Sequence, residues 1–337
     1  YELVSKMRAS VCVMGPLLAK RRRAQVSMPG GCAIGDRPID LHILGLQSFG
    51  ADFELVNGDV LLRAKKLKGS EVFLGGPFGS SVTATANVMM AATLAEGRTV
   101  IASAACEPEV VDLANYLNAC GARVAGAGTP EITVEGVESL HGAEHRIIPD
   151  RIEAGTFMIA AAITNGDLEL HGAKMEHMRA LVDRLRRVGV VIERGEKGIA
   201  VSSSRRLEPV VITTQPFPGF PTDLQAQAMA LLCLADGNSV ITEKIYPDRF
   251  LHVGELNRMG AQLHKEGPTV IIEGPTRLVG APVMASDLRA SAALILAGLI
   301  AKGTTRIHRA YHIDRGYEKI EEKLTQLGAV VRRVNDA

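Results

Sequence analysis

The sequence predicts an α+β fold made of repeated βαβαββ units, with apolar helices inside and sheets outside, and two glycine patterns carry that expectation. The first is a signature that closes one helix-like stretch per unit. It reads Phe49-Gly50-Ala51, Cys120-Gly121-Ala122, Val188-Gly189-Val190, Met259-Gly260-Ala261 and Leu327-Gly328-Ala329, with the glycines 71, 68, 71 and 68 residues apart. So even a spacing predicts five structural repeats. The second pattern lies within each unit, where an Ala- and Leu-rich helix breaks at Gly97, Gly166, Gly237 or Gly303 and a β-branched segment such as Thr99-Val100-Ile101 or Ser239-Val240-Ile241 follows. Both glycines read as helix C-caps. In the first unit Arg21-Arg22-Arg23 takes that second turn, so the basic run reads as a solvated helix end rather than a ligand site.

The elements of a unit follow in order. A strand leads into a helix that is apolar all round, as over 292–300, and a helix without a polar face belongs inside a domain. A second strand comes next. It is followed by an amphipathic helix, as over 249–259, where Phe250, Val253, Leu256 and Met259 recur every three residues and leave one face dry. The glycine cap and two short strands close the unit, as over 121–134. Charged tips recur where strands enter helices: Lys6-Met7-Arg8, Pro149-Asp150-Arg151, Thr222-Asp223 and Asp287-Leu288-Arg289 before the apolar helices, and Asp36-Arg37, Glu107-Pro108-Glu109, Asp248-Arg249 and Asp314-Arg315 before the amphipathic ones. Helix N-termini flanked by arginine suit anions.

A chain of 337 residues is long for one core. We expect a first domain over 1–147 with two repeats and a second over 148–337 with three, the seam falling around 142–149. Five repeats do not divide into threes, and 8–50 aligns with the body of a unit. Together with the opening on Tyr1, this predicts a sixth repeat preceding the visible chain.

Composition narrows the function. Hydrophobic residues make up 47% and charged residues 22%, as in ordinary globular proteins. Thirty-eight basic and 37 acidic side chains leave a net charge of +1, so no global field recruits nucleic acid or an anionic membrane. Local basic sites must do any anion binding. The longest apolar run, 290–301, is shorter than the roughly 20 residues of a membrane span. Cys12, Cys32, Cys106, Cys120 and Cys233 are odd in number and widely spread, which argues against a disulfide framework or zinc ribbon and for a reducing cytoplasm. His308 and His312 straddle a turn with no accompanying carboxylate motif, so no metal site is expected.

One loop suggests chemistry. In Pro29-Gly30-Gly31-Cys32-Ala33-Ile34-Gly35-Asp36-Arg37-Pro38 a cysteine sits among three glycines, presented to solvent, with Arg37 near enough to lower its pKa or to fork onto a phosphate or carboxylate. Pro38 could start the next helix. The same loop could also be a tight strand-to-helix turn with an incidental cysteine. The glycine-rich stretch 75–81 lacks the lysine and spacing of a nucleotide phosphate loop, so no ATP site follows.

Pro-Gly-Gly-Cys at 29–32, Asp-Arg-Pro-Ile-Asp-Leu-His at 36–42, Pro-Thr-Asp-Leu-Gln-Ala-Gln at 221–227, Asp-Leu-Arg-Ala-Ser-Ala at 287–292 and Ile-Asp-Arg-Gly-Tyr-Glu at 313–318 together resemble the UDP-N-acetylglucosamine enolpyruvyltransferases. These belong to the EPSP synthase-like family. The resemblance spans the whole visible chain and implies two inside-out barrels of three repeats each. It also implies the first committed step of peptidoglycan synthesis, and hence a part in cell shape and division. In that step enolpyruvate passes from phosphoenolpyruvate to the sugar 3-hydroxyl of UDP-N-acetylglucosamine, and phosphate is released. No metal or organic cofactor is implied. The shikimate-pathway enolpyruvyltransferase is the neighbouring alternative, and a non-catalytic nucleotide-binding relative is the alternative from another class.

Residue roles carry over by position. Cys32 resembles the loop cysteine that adds to phosphoenolpyruvate, acts as general acid and is alkylated by the antibiotic fosfomycin. Asp223 resembles the carboxylate that takes the sugar hydroxyl proton, although its place at a helix start would equally suit an N-cap; a base would need partial desolvation to raise its pKa. Arg37, Arg249, Arg289 and Arg315 match positions that hold phosphoenolpyruvate, with Arg315 also catalytic, and Arg8 matches one near the anionic groups; forked donors suit such a substrate. Arg8, Arg37, Pro38, Asp40, Leu41, His42, Ser81, Val82, Asp223 and Ile245 correspond to contacts with UDP-N-acetylglucosamine, while His42 could equally be a core or helix-surface histidine. Two departures stand out. The family's lysine and asparagine pair falls in the first repeat and has no counterpart here, and Thr83 stands where glycine is common.

Overall fold

The repeat glycines take the backbone conformation that their position demands. Gly50, Gly121, Gly189, Gly260 and Gly328 have φ of +89°, +95°, +104°, +91° and +97°, a region that side chains disfavour, so the 71/68 spacing in the sequence records five helix C-caps. At the second anchor Gly97, Gly237 and Gly303 are also left-handed. In the third unit Asn165, with φ +56°, takes that role in place of the expected Gly166. In the first, Arg22 takes it, with φ +57° and its N–H on the carbonyl of Leu18.

This computed structural model describes residues 8–28, 38–203 and 206–334. The chain forms two units, the first ending at Ile148 and the second beginning at Pro149. Each contains a repeat with the full βαβαββ order. In the first unit Glu71–Phe73 pairs parallel with Arg98–Ala102, which pairs antiparallel with Glu131–Glu135, and Arg123–Ala125 closes the edge. In the second Val211–Thr213, Asn238–Thr242, Thr269–Glu273 and Gln262–Glu266 repeat that arrangement strand for strand. Two other repeats form three-stranded antiparallel sheets. The fifth keeps its parallel pair, Pro282–Met284 with Arg306–His308. Among the described residues no strand follows Gly328, so the expected closing hairpin is not seen there.

Helices lie inside the sheets, as the apolar runs predict. Within the second unit Arg151–Thr164, Gln225–Leu232 and Leu288–Ile300 pack on one another, and all eight residues of Gln225–Leu232 are buried. Alanine-rich helices permit that approach, and each fully buried Leu or Ile along them contributes about 1.5–3 kcal/mol. In the first unit Gly15 lets Met14–Arg21 lie against Val82–Ala92, where a Cβ would stand 2.2 Å from the carbonyl oxygen of Asn87. The outer helices bury one stripe: Val253 and Leu256 of Leu251–Arg258 are buried with the flanking Phe250 and Met259, as the three-residue spacing required. His252 is buried there too, which the sequence did not announce. Among the described residues no helix is long and apolar enough to cross a membrane, and no group of three or more His, Cys, Asp and Glu could hold a metal.

Candidate active site

In the second unit, three charged residues from two repeats converge. Asp223 lies in the turn Thr222–Leu224 that introduces the fully buried helix Gln225–Leu232. Its carboxylate is 2.9 Å from Nη2 of Arg249 and 3.4 Å from Nε of Arg289. The arginine side chains are 8% and 13% exposed and the aspartate 41%, so the cations are the more deeply enclosed partners and need the pairing more. The N-cap alternative fails, because the helix starts without a side-chain cap.

The raised pKa expected of a base is also corrected. Burial pushes the Asp223 carboxyl up, but Arg249 and Arg289 more than offset it and hold the group well below the usual carboxylate range. Asp223 is an anion already partnered by the two cations.

Each arginine has a second support. Nη1 of Arg249 donates to Oγ1 of Thr222 at 3.0 Å, and that hydroxyl donates to Oε2 of Glu243 at 2.9 Å. Glu243 is fully buried, and its Oε1 accepts from the Thr214 hydroxyl at 2.7 Å and from the backbone N–H groups of Ile245 and Tyr246 at 2.8 and 3.0 Å. This fixes the loop that carries Ile245, a half-buried residue. The Arg249 guanidinium also faces the Tyr246 ring at 5.9 Å. Arg289 opens the helix Leu288–Ile300, whose N-cap Asp287 accepts from the N–H groups of Arg289 and Ala290. Its Nη1 donates to the Tyr317 hydroxyl at 3.1 Å, and the guanidinium lies 5.5 Å from that ring. Tyr317 is buried, and its hydroxyl is 2.8 Å from Oγ1 of Thr156 and 3.3 Å from Nε2 of Gln227.

Arg315 ends the turn Ala310–Arg315 and is exposed. It is not at a helix start as the sequence suggested, since Ile320–Gln326 begins five residues later. Its charge reaches His312, whose pKa is lowered first by burial and then by Arg309 and Arg315. Sequence reasoning assigned no role to Thr222, Glu243, Tyr317, Gln227 or Thr156. Polar residues inside an apolar helix were the available signal, because a buried Gln or Thr must find partners.

The first unit brings two helix starts together. Asp40 begins Asp40–Gln47 and is exposed, with Leu41 half-buried behind it. Pro38 is exposed and precedes the helix by two residues rather than starting it. Ser81 is the N-cap of Val82–Ala92, its hydroxyl accepting from the N–H of Ala84 at 3.3 Å, and half-buried Val82 follows. His42 turns inward. Its Nε2 is 3.1 Å from Oγ1 of Thr83 and its Nδ1 3.0 Å from Nδ2 of Asn87; that Nδ2 also donates to the carbonyl of Val11, while Oδ1 of Asn87 accepts from the N–H of Gly15. Both ring nitrogens are thus engaged inside the unit, and Thr83, the departure from family glycine, is one of the two residues they meet. Arg8 opens the turn Arg8–Val13, and Cys32 and Arg37 lie outside the described residues.

Comparison with known proteins places the fold and the sequence in a family. The family model for EPSP synthase (3-phosphoshikimate 1-carboxyvinyltransferase) matches residues 1–324. UDP-N-acetylglucosamine 1-carboxyvinyltransferase from Methylacidiphilum infernorum is 55% identical over 99% of this chain and 79% of its own length, and enzyme 1 of that name from Staphylococcus aureus is 55% identical over 100% and 79%. Among solved structures, the enolpyruvyl transferase NikO from Streptomyces tendae superposes with a TM-score of 0.89 at 25% identity, covering 98% of this chain and 78% of its own. EPSP synthase from Acinetobacter baumannii shares the fold at 21% identity, with a TM-score of 0.72 over 98% of this chain and 79% of its own. With its repeats, its inside-out packing and these relatives, the chain belongs to the EPSP synthase family, and within it to the UDP-N-acetylglucosamine 1-carboxyvinyltransferases.

Proposed function

We propose that this protein transfers the enolpyruvyl group of phosphoenolpyruvate to the 3-hydroxyl of UDP-N-acetylglucosamine and releases phosphate, the first committed step of peptidoglycan synthesis. The observation that carries the mechanism is the cluster of Asp223 with Arg249 and Arg289, a carboxylate held between two enclosed guanidinium groups. Phosphoenolpyruvate offers phosphate and carboxylate oxygens that compete with Asp223 for both cations. As the arginines turn to the substrate, Asp223 loses the charges that depress its pKa and gains basicity where the sugar hydroxyl arrives. Anion binding thus activates the base.

Addition then joins the hydroxyl oxygen to C2 of the enolpyruvyl group, with the hydroxyl proton passing to Asp223 and a proton from Cys32 reaching the methylene carbon. Elimination breaks the C2–O bond to phosphate, a proton of the new methyl group returning to the Cys32 thiolate while the proton held by Asp223 leaves with the phosphate. The arginines stabilise charge on the tetrahedral intermediate, and Arg37, Arg315 and Arg8 are assigned to the substrate's anionic groups from their positions in the family's motifs. Pro38, Asp40, Leu41, Ser81, Val82 and Ile245 serve the nucleotide, and His42 serves it indirectly through Thr83. The reaction belongs to the cytoplasm, where its product feeds cell-wall synthesis and so cell shape and division. Cys32 is the site at which fosfomycin acts as a covalent inhibitor.

The test is transfer by the protein as its source makes it. With phosphoenolpyruvate and UDP-N-acetylglucosamine, mass spectrometry is expected to find the nucleotide sugar carrying an added enolpyruvyl group, with equimolar phosphate. Fosfomycin is expected to leave a single adduct on Cys32. Transfer to shikimate 3-phosphate instead of the nucleotide sugar refutes the proposal.

A further inference from the structure

Arg249 and Arg289 are each gripped twice, once by Asp223 and once by a neutral hydroxyl. The two hydroxyls share a hydrogen-bond logic. Thr222 spends its proton on Oε2 of Glu243 and so presents a lone pair to Nη1 of Arg249. Thr156 donates its proton to the carbonyl of Ile152, so the hydroxyl shared between Thr156 and Tyr317 must be donated by Tyr317, which then presents its lone pair to Nη1 of Arg289. Gln227 braces this second relay with one N–H shared between Tyr317 and Thr156, and its other N–H holds the carbonyl of Asp223. Glu243, Tyr317, Thr156 and Gln227 are buried and Thr222 is half-buried.

A hydroxyl anchor differs from a carboxylate in one respect that matters here. It fixes a guanidinium without a direct ion pair, so the cation stays open to an incoming anion even where, as behind Thr222, a carboxylate stands one hydroxyl further back. If Asp223 were the sole anchor, both arginines would lose their position at the moment the carboxylate turned to the sugar hydroxyl. We propose that the Thr222–Glu243 and Tyr317–Thr156–Gln227 relays are positioning devices that hold Arg249 and Arg289 as a preformed anion site independently of Asp223. This rests on the functional reading above in assigning the anion to phosphoenolpyruvate, but the relays themselves can be tested without turnover.

The experiment is calorimetric titration of the protein with inorganic phosphate. Asp223→Asn removes the competing anion, and if the relays hold the arginines, phosphate binding tightens by roughly tenfold. Adding Thr222→Val, which keeps the shape but removes the hydroxyl, or Tyr317→Phe, which keeps the ring, is expected to abolish that gain. Adding Thr222→Ser retains it. The two relays sit in different repeats, so a folding defect in one variant leaves the other to decide. An Asp223→Asn protein that binds phosphate no better than the parent overturns the proposal, as does a gain that survives undiminished in the Val and Phe combinations. A phosphate series that behaves as expected in a protein with no transfer to UDP-N-acetylglucosamine overturns the assigned reaction and leaves the relays standing. Normal transfer with a flat series overturns the relays alone.

Discussion

Two threonines occupy the same place in different repeats and do different work. Thr83 and Thr222 are separated by 139 residues, as are the cap glycines Gly121 and Gly260, and each stands where an inner helix begins. In the first unit the hydroxyl meets His42, and the network behind it is neutral, running through Asn87 to the backbone of Val11 and Gly15. In the second unit it meets Arg249, and the network behind it ends on the buried carboxylate of Glu243. One backbone plan therefore supports a structural joint in one unit and a charged site in the other. Fold sets where a helix starts, and the side chains grafted there decide whether the start is chemistry or carpentry.

The largest expected effect separates the two directly. Asp223→Ala is expected to lower kcat by about 10²–10⁴, the range for loss of a general base, while the Kd for UDP-N-acetylglucosamine changes little. Steady-state kinetics beside nucleotide titration makes the comparison. Equal losses in both would reduce Asp223 to a structural ion pair and erase the distinction between the units.

On the neutral side, Asn87→Ala is expected to act on stability. It leaves the N–H of Gly15, the carbonyl of Val11 and Nδ1 of His42 without this partner in a buried setting, which costs about 3 kcal/mol on the scale of unsatisfied polar groups. Urea unfolding reads that loss. A variant that unfolds like the parent would mean that the joint holds the two inner helices only loosely.

The contrast also marks what the sequence could disclose. Gly50, Gly121, Gly189, Gly260 and Gly328 were legible because a left-handed cap leaves little choice of residue, and the cadence of the caps gave the repeats away. The inner helices were legible because all-round apolarity has few other meanings. Asp223, Arg249 and Arg289 were legible as a set through resemblance, yet the direction of the Asp223 pKa was not. It depends on two arginines from distant positions reaching one oxygen, Oδ1, and no local pattern encodes that. The pairing of Thr156 with Tyr317, 161 residues apart, was hidden for the same reason. His42 was ambiguous until its two ring nitrogens found Thr83 and Asn87 inside the first unit.

The smallest expected effect compares the two buried histidines. His42 and His252 are each 2% exposed, but His42 bonds through both nitrogens whereas Nε2 of His252 has no hydrogen-bond partner. Burial pushes the His252 pKa down to about 4, with Asp287 opposing and Arg249 assisting. The sign follows from linkage. The unfolded imidazole gains its proton near pH ~6.5 and the folded one only near the lower value, so His252 favours the folded state above the unfolded pKa and that advantage drains away as pH falls through the interval. Acidification from about pH 7.5 to about pH 5 is thus expected to remove about 2 kcal/mol of stability through this one group. His252→Phe, which keeps a ring and has no proton to gain, is expected to flatten that part of the pH profile in urea unfolding. If the slope persists in the Phe variant, the acid sensitivity of the second unit belongs to its carboxylates, and the orphaned ring nitrogen is only a packing consequence of the outer helix.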